Sequence, residues 1–258
     1  WATIGTMTLT LLAHGSPDPR HARSVSGLAG RLKVAGIPAQ AAYLDHHGPS
    51  PVESARNLQR AGAQDTTVVP LLISPAYHAR VDVPAAIRAM RSAAPHVAVA
   101  AADPIGLHPL LLTAAAELIT ASGLPLDDRT GIILAAAGSR DVRAVGAMES
   151  LFRVEGPRIT ARLGVRAVRA AYLDGGRPLG RIRTLMRCVD GCSSFVVVPM
   201  VIADGVLRDR IVTAAGRYDA PVTPGALADT HALTDLIALR AGSAPAPTSN
   251  RTPSAAAR

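Results

Sequence analysis

Lysine is almost missing from this 258-residue chain, with Lys33 alone among 27 Lys and Arg residues, so arginine carries nearly all of the formal net charge of +8. Aromatic residues make up only 3%. With no dense basic run and no recognisable reader motif, nucleic-acid binding is excluded as the first reading. Cysteine is nearly as scarce, and Cys188 and Cys192 cannot staple a chain of this length. Their use suggests a reducing compartment, and a Cys-x₃-Cys spacing without partner cysteines argues against a cluster or zinc site. The longest apolar stretch, Phe195 to Ala203, is far short of the ~20 residues that span a bilayer. The start of the chain has no cationic segment leading into an apolar core, so no secretory signal is read, and Met7 reads as the natural start. A cytoplasmic protein is expected. No Walker A loop, G-x-G-x-x-G or G-x-S-x-G elbow is present. Ala13 stands where a histidine phosphatase would carry arginine ahead of His14-Gly15.

Hydrophobic residues reach 48% of the chain, enough for a sizeable core. Thr8 to Ala13 and Thr67 to Ile73 are short apolar runs bounded by turn residues, the pattern of buried parallel strands. A histidine follows each of them, His14 and His78. If the two strands are neighbours where the strand order reverses, both imidazoles face one crevice at the carboxyl edge of the sheet. Between these strands, Val25, Leu28, Ala29 and Leu32 fall at helical spacing within Arg20 to Ala35, and a strand is expected over Ile37 to Leu44. Ser50-Pro51 with Glu53 is a capping-box helix start. A helix near Pro84 to Ala93, a strand over His96 to Ala101 and a helix after Gly106 complete one doubly wound unit.

The chain then repeats itself at a period near 125 residues. Leu134 to Ser139 echoes Leu11 to Ser16, Ala170 to Asp174 reproduces Ala41 to Asp45, and Val196 to Leu207 echoes Val68 to His78. Such a period marks a domain duplication, since solenoid repeats run about 20–50 residues. The fold class expected is therefore α/β, with two tandem homologous doubly wound domains on small four-stranded parallel sheets. The domains are placed at residues 1–126 and 127–240, with a disordered tail over 241–258. Ala137 takes the place of His14 in the copy, and Leu207 that of His78. Chemistry is expected in the first half alone.

Three segments, LAHGS at Leu12 to Ser16, VPLLISPAYH at Val69 to His78 and DPIGLHPL at Asp103 to Leu110, resemble the class II chelatases of tetrapyrrole biosynthesis. The resemblance covers about residues 8 to 240 and is closest to the long, two-domain form. It implies a chelatase-like fold and a lyase that inserts Fe²⁺ or Co²⁺ into sirohydrochlorin without a nucleotide, in siroheme or cobalamin biosynthesis. It also implies that His14 and His78 are the active-site pair and metal ligands, and that Asp45 stands where the family usually has an assisting glutamate. Ala76 departs from a glycine common in the family two residues before the second histidine.

Elementary chemistry agrees. Insertion needs a site that holds a divalent ion weakly and takes up two pyrrole N–H protons. Neutral imidazole binds first-row metals, and with an ordinary pKa near ~6.5 it also accepts protons. Asp174 persists in the copy without the histidines, so Asp45 also reads as a turn residue. His46 and His47 read as a polar loop. Arg20, Arg23 and Arg80 follow the histidine loops and suit the carboxylates of the substrate rim. The expected partner is a tetrapyrrole, with no nucleic acid or membrane. A monomer that uses its second domain as the wall of the cleft is the assembly expected. A non-catalytic carrier of metal or tetrapyrrole on the same fold is the alternative.

Overall fold

The computed structural model describes residues 8–73, 81–138, 142–174 and 177–246. The chain starts with β1 (Thr8–Ala13), α1 (Pro19–Val34), β2 (Ala39–Tyr43), α2 (Pro51–Arg60) and β3 (Asp65–Pro70). Next come α3 (Asp82–Ala93), β4 (Ala98–Ala101) and α4 (Leu110–Ser122). The second half supplies β5 (Thr130–Gly138), α5 (Val142–Leu163), β6 (Ala167–Asp174) and α6 (Leu179–Leu185). It closes with β7 (Ser194–Pro199), α7 (Val206–Gly216) and α8 (His231–Gly242). By their contacts the residues form two compact units. Among the described residues the first holds 8–17, 25–73, 81–106 and 237–246, and the second holds 18–24, 107–138, 142–174 and 177–236.

The first unit is built on a parallel sheet of order β2-β1-β3-β4. Thr8 of β1 pairs with Thr66 of β3, and Leu9 with Ala39 of β2, so β1 is central and the order reverses between β1 and β3. Leu12, Val68 and Val99 from the strands pack with Ile87 and Met90 of α3 in one core. The helices form where the sequence directs them. In α1 the buried positions are Val25, Leu28, Ala29 and Leu32, with Pro19 in the first turn where its missing N–H costs nothing. In α2 the Glu53 amide donates to the Ser50 hydroxyl at 3.3 Å, and the Ser50 amide donates to the Glu53 carboxylate at 2.8 Å.

The second unit repeats the plan with order β6-β5-β7. Its sheet has three strands among the described residues, one fewer than the four expected from the duplication. Where β4 should recur, a single bridge joins Val197 to Val222. Pro221 contributes to the loss, since at a position facing β7 it lacks the N–H that a ladder requires. What remains is the Val197 amide donating to the Pro221 carbonyl and the Thr223 amide donating to Val197. Ile133, Ala171, Ile182, Val197 and Ile211 form its core. At the far end α8 runs through Gly242, with Ala241 buried, and so includes two residues of the segment expected as tail. Residues 247–258 of that tail lie outside the described residues, and no described helix is long and apolar enough to cross a membrane.

Candidate active site

The carboxyl edge of the first sheet brings the ends of β1 and β2 together. Beyond the last strand pair the register continues, with the Leu44 amide donating to Ala13 at 3.0 Å and the Asp45 amide to the His14 carbonyl at 2.8 Å. His14 is therefore half-buried beside Asp45 at the point where the strand order reverses. Gly15 makes this approach possible. Its φ is +100°, and a Cβ there would lie 1.9 Å from the Asp45 carbonyl oxygen. The first half thus needs glycine after His14 for a backbone reason, and the duplicate obeys the same rule. Gly138 has φ +88°, and its Cβ would meet the Asp174 carbonyl oxygen at 1.7 Å.

Asp45 itself is solvent-exposed, with 66% of its side chain accessible. One carboxylate oxygen accepts the His46 amide at 2.8 Å, and the other lies 3.6 Å from His46 Nε2. The turn role is thus present, while the carboxylate still reaches solvent at the sheet edge. In the copy, Asp174 instead accepts both bonds of an Arg210 contact at 3.0 and 3.1 Å. The two aspartates, identical in sequence, therefore differ in charge environment. Arg210 pairs with Asp174, whereas the His46 imidazole lies beside Asp45. His47 lies edge-on to Tyr43, ring centroids 5.6 Å apart, and its Nε2 is buried without a hydrogen-bond partner.

His78 and Arg80 lie outside the described residues, as does Ala76. Among the described residues no group of three or more metal-capable side chains is assembled, so His14 and Asp45 are the part of the expected constellation that is placed. In the copy, Ala137 is half-buried at the end of β5, and Leu207 packs against the second core, which accounts for an apolar residue there. The other matched histidines sit at helix entrances. His108 Nδ1 accepts the Leu110 amide at 3.2 Å, and the His231 amide donates to Glu117 at 2.8 Å.

The arginines divide. Arg23 is exposed at the start of α1. Arg20 is held within the second unit by carboxylates. Its Nε donates to both Asp18 oxygens at 3.1 and 3.0 Å, and Nη1 donates to Asp209 at 3.1 Å, with Nη2 bonded to both residues. This fork is already filled, which a sequence separation of 189 residues could not reveal. The Arg20 hydrogen bonds, side-chain first and backbone second, hold the Asp18 carboxyl down to about 2. The same guanidinium lowers Asp209. Because both carboxyl pKa values are depressed on folding, their contribution is complete above the ordinary value near ~4 and is lost as the pH falls toward 2. Asp209→Asn is therefore expected to lower Tm by about 1–3 °C at pH 7, with a much smaller difference at pH 2.5. Thermal melts at both pH values check this, and an equal difference at both would show that charge pairing is not the cause.

A central β1 at a topological switch is thus followed by a histidine and a left-handed glycine. Residues 8–122 match the family profile described as CbiX. A sirohydrochlorin cobaltochelatase of Priestia megaterium is 25% identical over 216 residues, 82% of this chain and 69% of that protein. SirB of Bacillus subtilis, solved with Fe³⁺, superposes with a TM-score of 0.71 at 20% identity, over 91% of this chain and 94% of that one. CbiX, described as the terminal enzyme for siroheme biosynthesis in denitrifying bacteria, superposes with a TM-score of 0.55 at 22% identity, over 91% and 97%. At these identities the structural likenesses establish the fold. Residues 8–122 match the CbiX family, and most of the chain is similar to a sirohydrochlorin cobaltochelatase.

Proposed function

We propose that this protein inserts a divalent metal ion, Co²⁺ or Fe²⁺, into sirohydrochlorin without ATP. The observation that carries the reading is His14, half-buried at the carboxyl end of the central strand, beside Asp45, in the half that matches the family. Each insertion adds one metal ion to the macrocycle and releases two pyrrole N–H protons. The assigned roles are His14 and His78 as metal ligands or proton acceptors and Asp45 as the assisting carboxylate. Two imidazoles and a carboxylate leave coordination positions open, and both metals stand low enough in the stability order of divalent ions to be released again. The rim carboxylates are assigned to Arg23 and Arg80, since the fork of Arg20 is engaged by Asp18 and Asp209. No imidazole remains at the matched positions of the second half, where alanine and leucine can neither bind a metal nor accept a proton.

The carrier reading makes a different prediction. Purified protein mixed with sirohydrochlorin and Co²⁺ or Fe²⁺, with no nucleotide, is expected to accelerate the absorbance change of metallation well beyond the protein-free control. Adding ATP should leave the rate unchanged. Tight binding of metal or tetrapyrrole with no acceleration would assign the chain to the carriers instead.

A further inference from the structure

Arg183 lies in the second unit, on α6, and differs from the guanidinium groups around it. Arg169 is paired with Asp190 at 2.7 Å, and Arg208 donates to the carbonyls of Gly225 and Thr223 at 2.8 and 2.9 Å. Arg183 has no ion-pair partner among the described residues. Its guanidinium carbon is instead held 5.3 Å from the Phe195 ring centroid and 5.6 Å from that of Tyr218. Its Nε is buried and meets no hydrogen-bond acceptor. Two aromatic faces fix the plane of a charged fork, while one of its donors, removed from water, lacks the acceptor that buried donors almost always find.

The same side chain lines a hollow of about 360 Å³. Thr130 and Ser194, which also line it, open β5 and β7, so the hollow sits at the amino edge of the second sheet, the edge opposite the strand ends where Ala137 stands. Their hydroxyls are hydrogen-bonded to each other at 3.0 Å, and that of Thr130 donates to the Asp127 carboxylate at 2.6 Å behind the wall. A volume of this size lies at the lower end of small-molecule sites. Asp219 is the single carboxylate on the lining and disfavours a polyanion.

We propose that this hollow is a binding site for a small oxyanion, a carboxylate or a phosphate, received by the fork of Arg183. The ligand supplies the counter-charge that the pair of rings does not. The site is separate from the metal chemistry of the first half and stands or falls independently of it.

Titrating the full chain with inorganic phosphate, and separately with acetate, tests the proposal, with ionic strength held constant by chloride. The expected result is a saturable shift of the Arg183 ¹⁵Nε–¹Hε resonance together with a rise in Tm. The probe that saturates at lower concentration identifies the ligand class. Arg183→Gln should weaken binding by about tenfold to a hundredfold, the usual worth of charge-assisted hydrogen bonds. Arg181→Gln, an exposed neighbour on the same helix, should leave it unchanged. The proposal is overturned if neither probe shifts the Arg183 resonance, or if the Tm rise survives in Arg183→Gln. Should that variant fail to fold, the wild-type Arg183 resonance compared with that of Arg181 decides the matter.

Discussion

His14→Ala is expected to lower the metal-insertion rate at least a hundredfold while leaving Tm within about 2 °C of the parent protein. The two halves of this expectation come from different atoms. The backbone carbonyl of His14 accepts the Asp45 amide, a bond that any residue at position 14 provides, so β1 and β2 remain joined. The imidazole is half-buried at a strand end and belongs to neither hydrophobic core, so its removal leaves no large apolar cavity. The loss falls on coordination and proton transfer. His78→Ala should have the same effect, and the double variant should be little worse than either single one, because residues that act as a unit are not additive. The converse substitution, Ala137→His, restores one imidazole without its companion, since Leu207 is turned to the second core, and should give no second active site. Insertion rates and melts on these four proteins check the set. Parental activity in His14→Ala would overturn the assignment of the chemistry to the first half.

Much of the architecture was legible because it depends on local rules. The buried stripe of α1, the Ser50–Glu53 cap of α2 and the strands around His14 all follow from spacing and turn chemistry in windows of a few residues. The loss of the fourth strand in the second sheet was legible in principle, as Pro221 stands in the run that should pair. The duplicated hydrophobic runs predict a fourth strand because hydrophobicity carries no information about missing backbone donors. Arg20 shows a different limit. Its proximity in sequence to His14 made it a candidate for substrate carboxylates, and only folding brings Asp209 to it. Likewise nothing in the two Ala-Ala-Tyr-Leu-Asp segments distinguishes Asp45 from Asp174, yet one faces an imidazole and the other an arginine. The strand end that carries His14 was legible from local pattern, and the charges that the fold places near Asp45 and Arg20 were not.

Gly15→Ala is expected to cost about 3 kcal/mol of stability, combining backbone strain with overpacking, and to reduce insertion sharply although every candidate ligand is intact. The clash is with backbone. A Cβ at position 15 would stand 1.9 Å from the Asp45 carbonyl oxygen and 2.8 Å from its carbon, and no flexible side chain can yield to it. That same carbonyl accepts the His47 amide at 2.8 Å, so the Asp45–His47 turn is braced against the move that would relieve the contact. A residue with φ near +100° adds its own strain once it carries a side chain. Relief must come from parting the ends of β1 and β2, which breaks the Asp45-to-His14 bond and moves His14 away from Asp45. Gly138→Ala offers the matched control, because its Cβ would lie 1.7 Å from the Asp174 carbonyl oxygen and the destabilisation should be of similar size. At a temperature well below both melting points, Gly138→Ala should retain most of the insertion rate, since Ala137 beside it carries no chemistry. Gly15→Ala should not, and its Co²⁺ affinity should fall in step with its rate. If the two variants lose stability equally and also lose activity equally, the glycine acts through global stability alone. If Gly15→Ala keeps the parental melt and rate, the close approach of the two strand ends is not what positions His14.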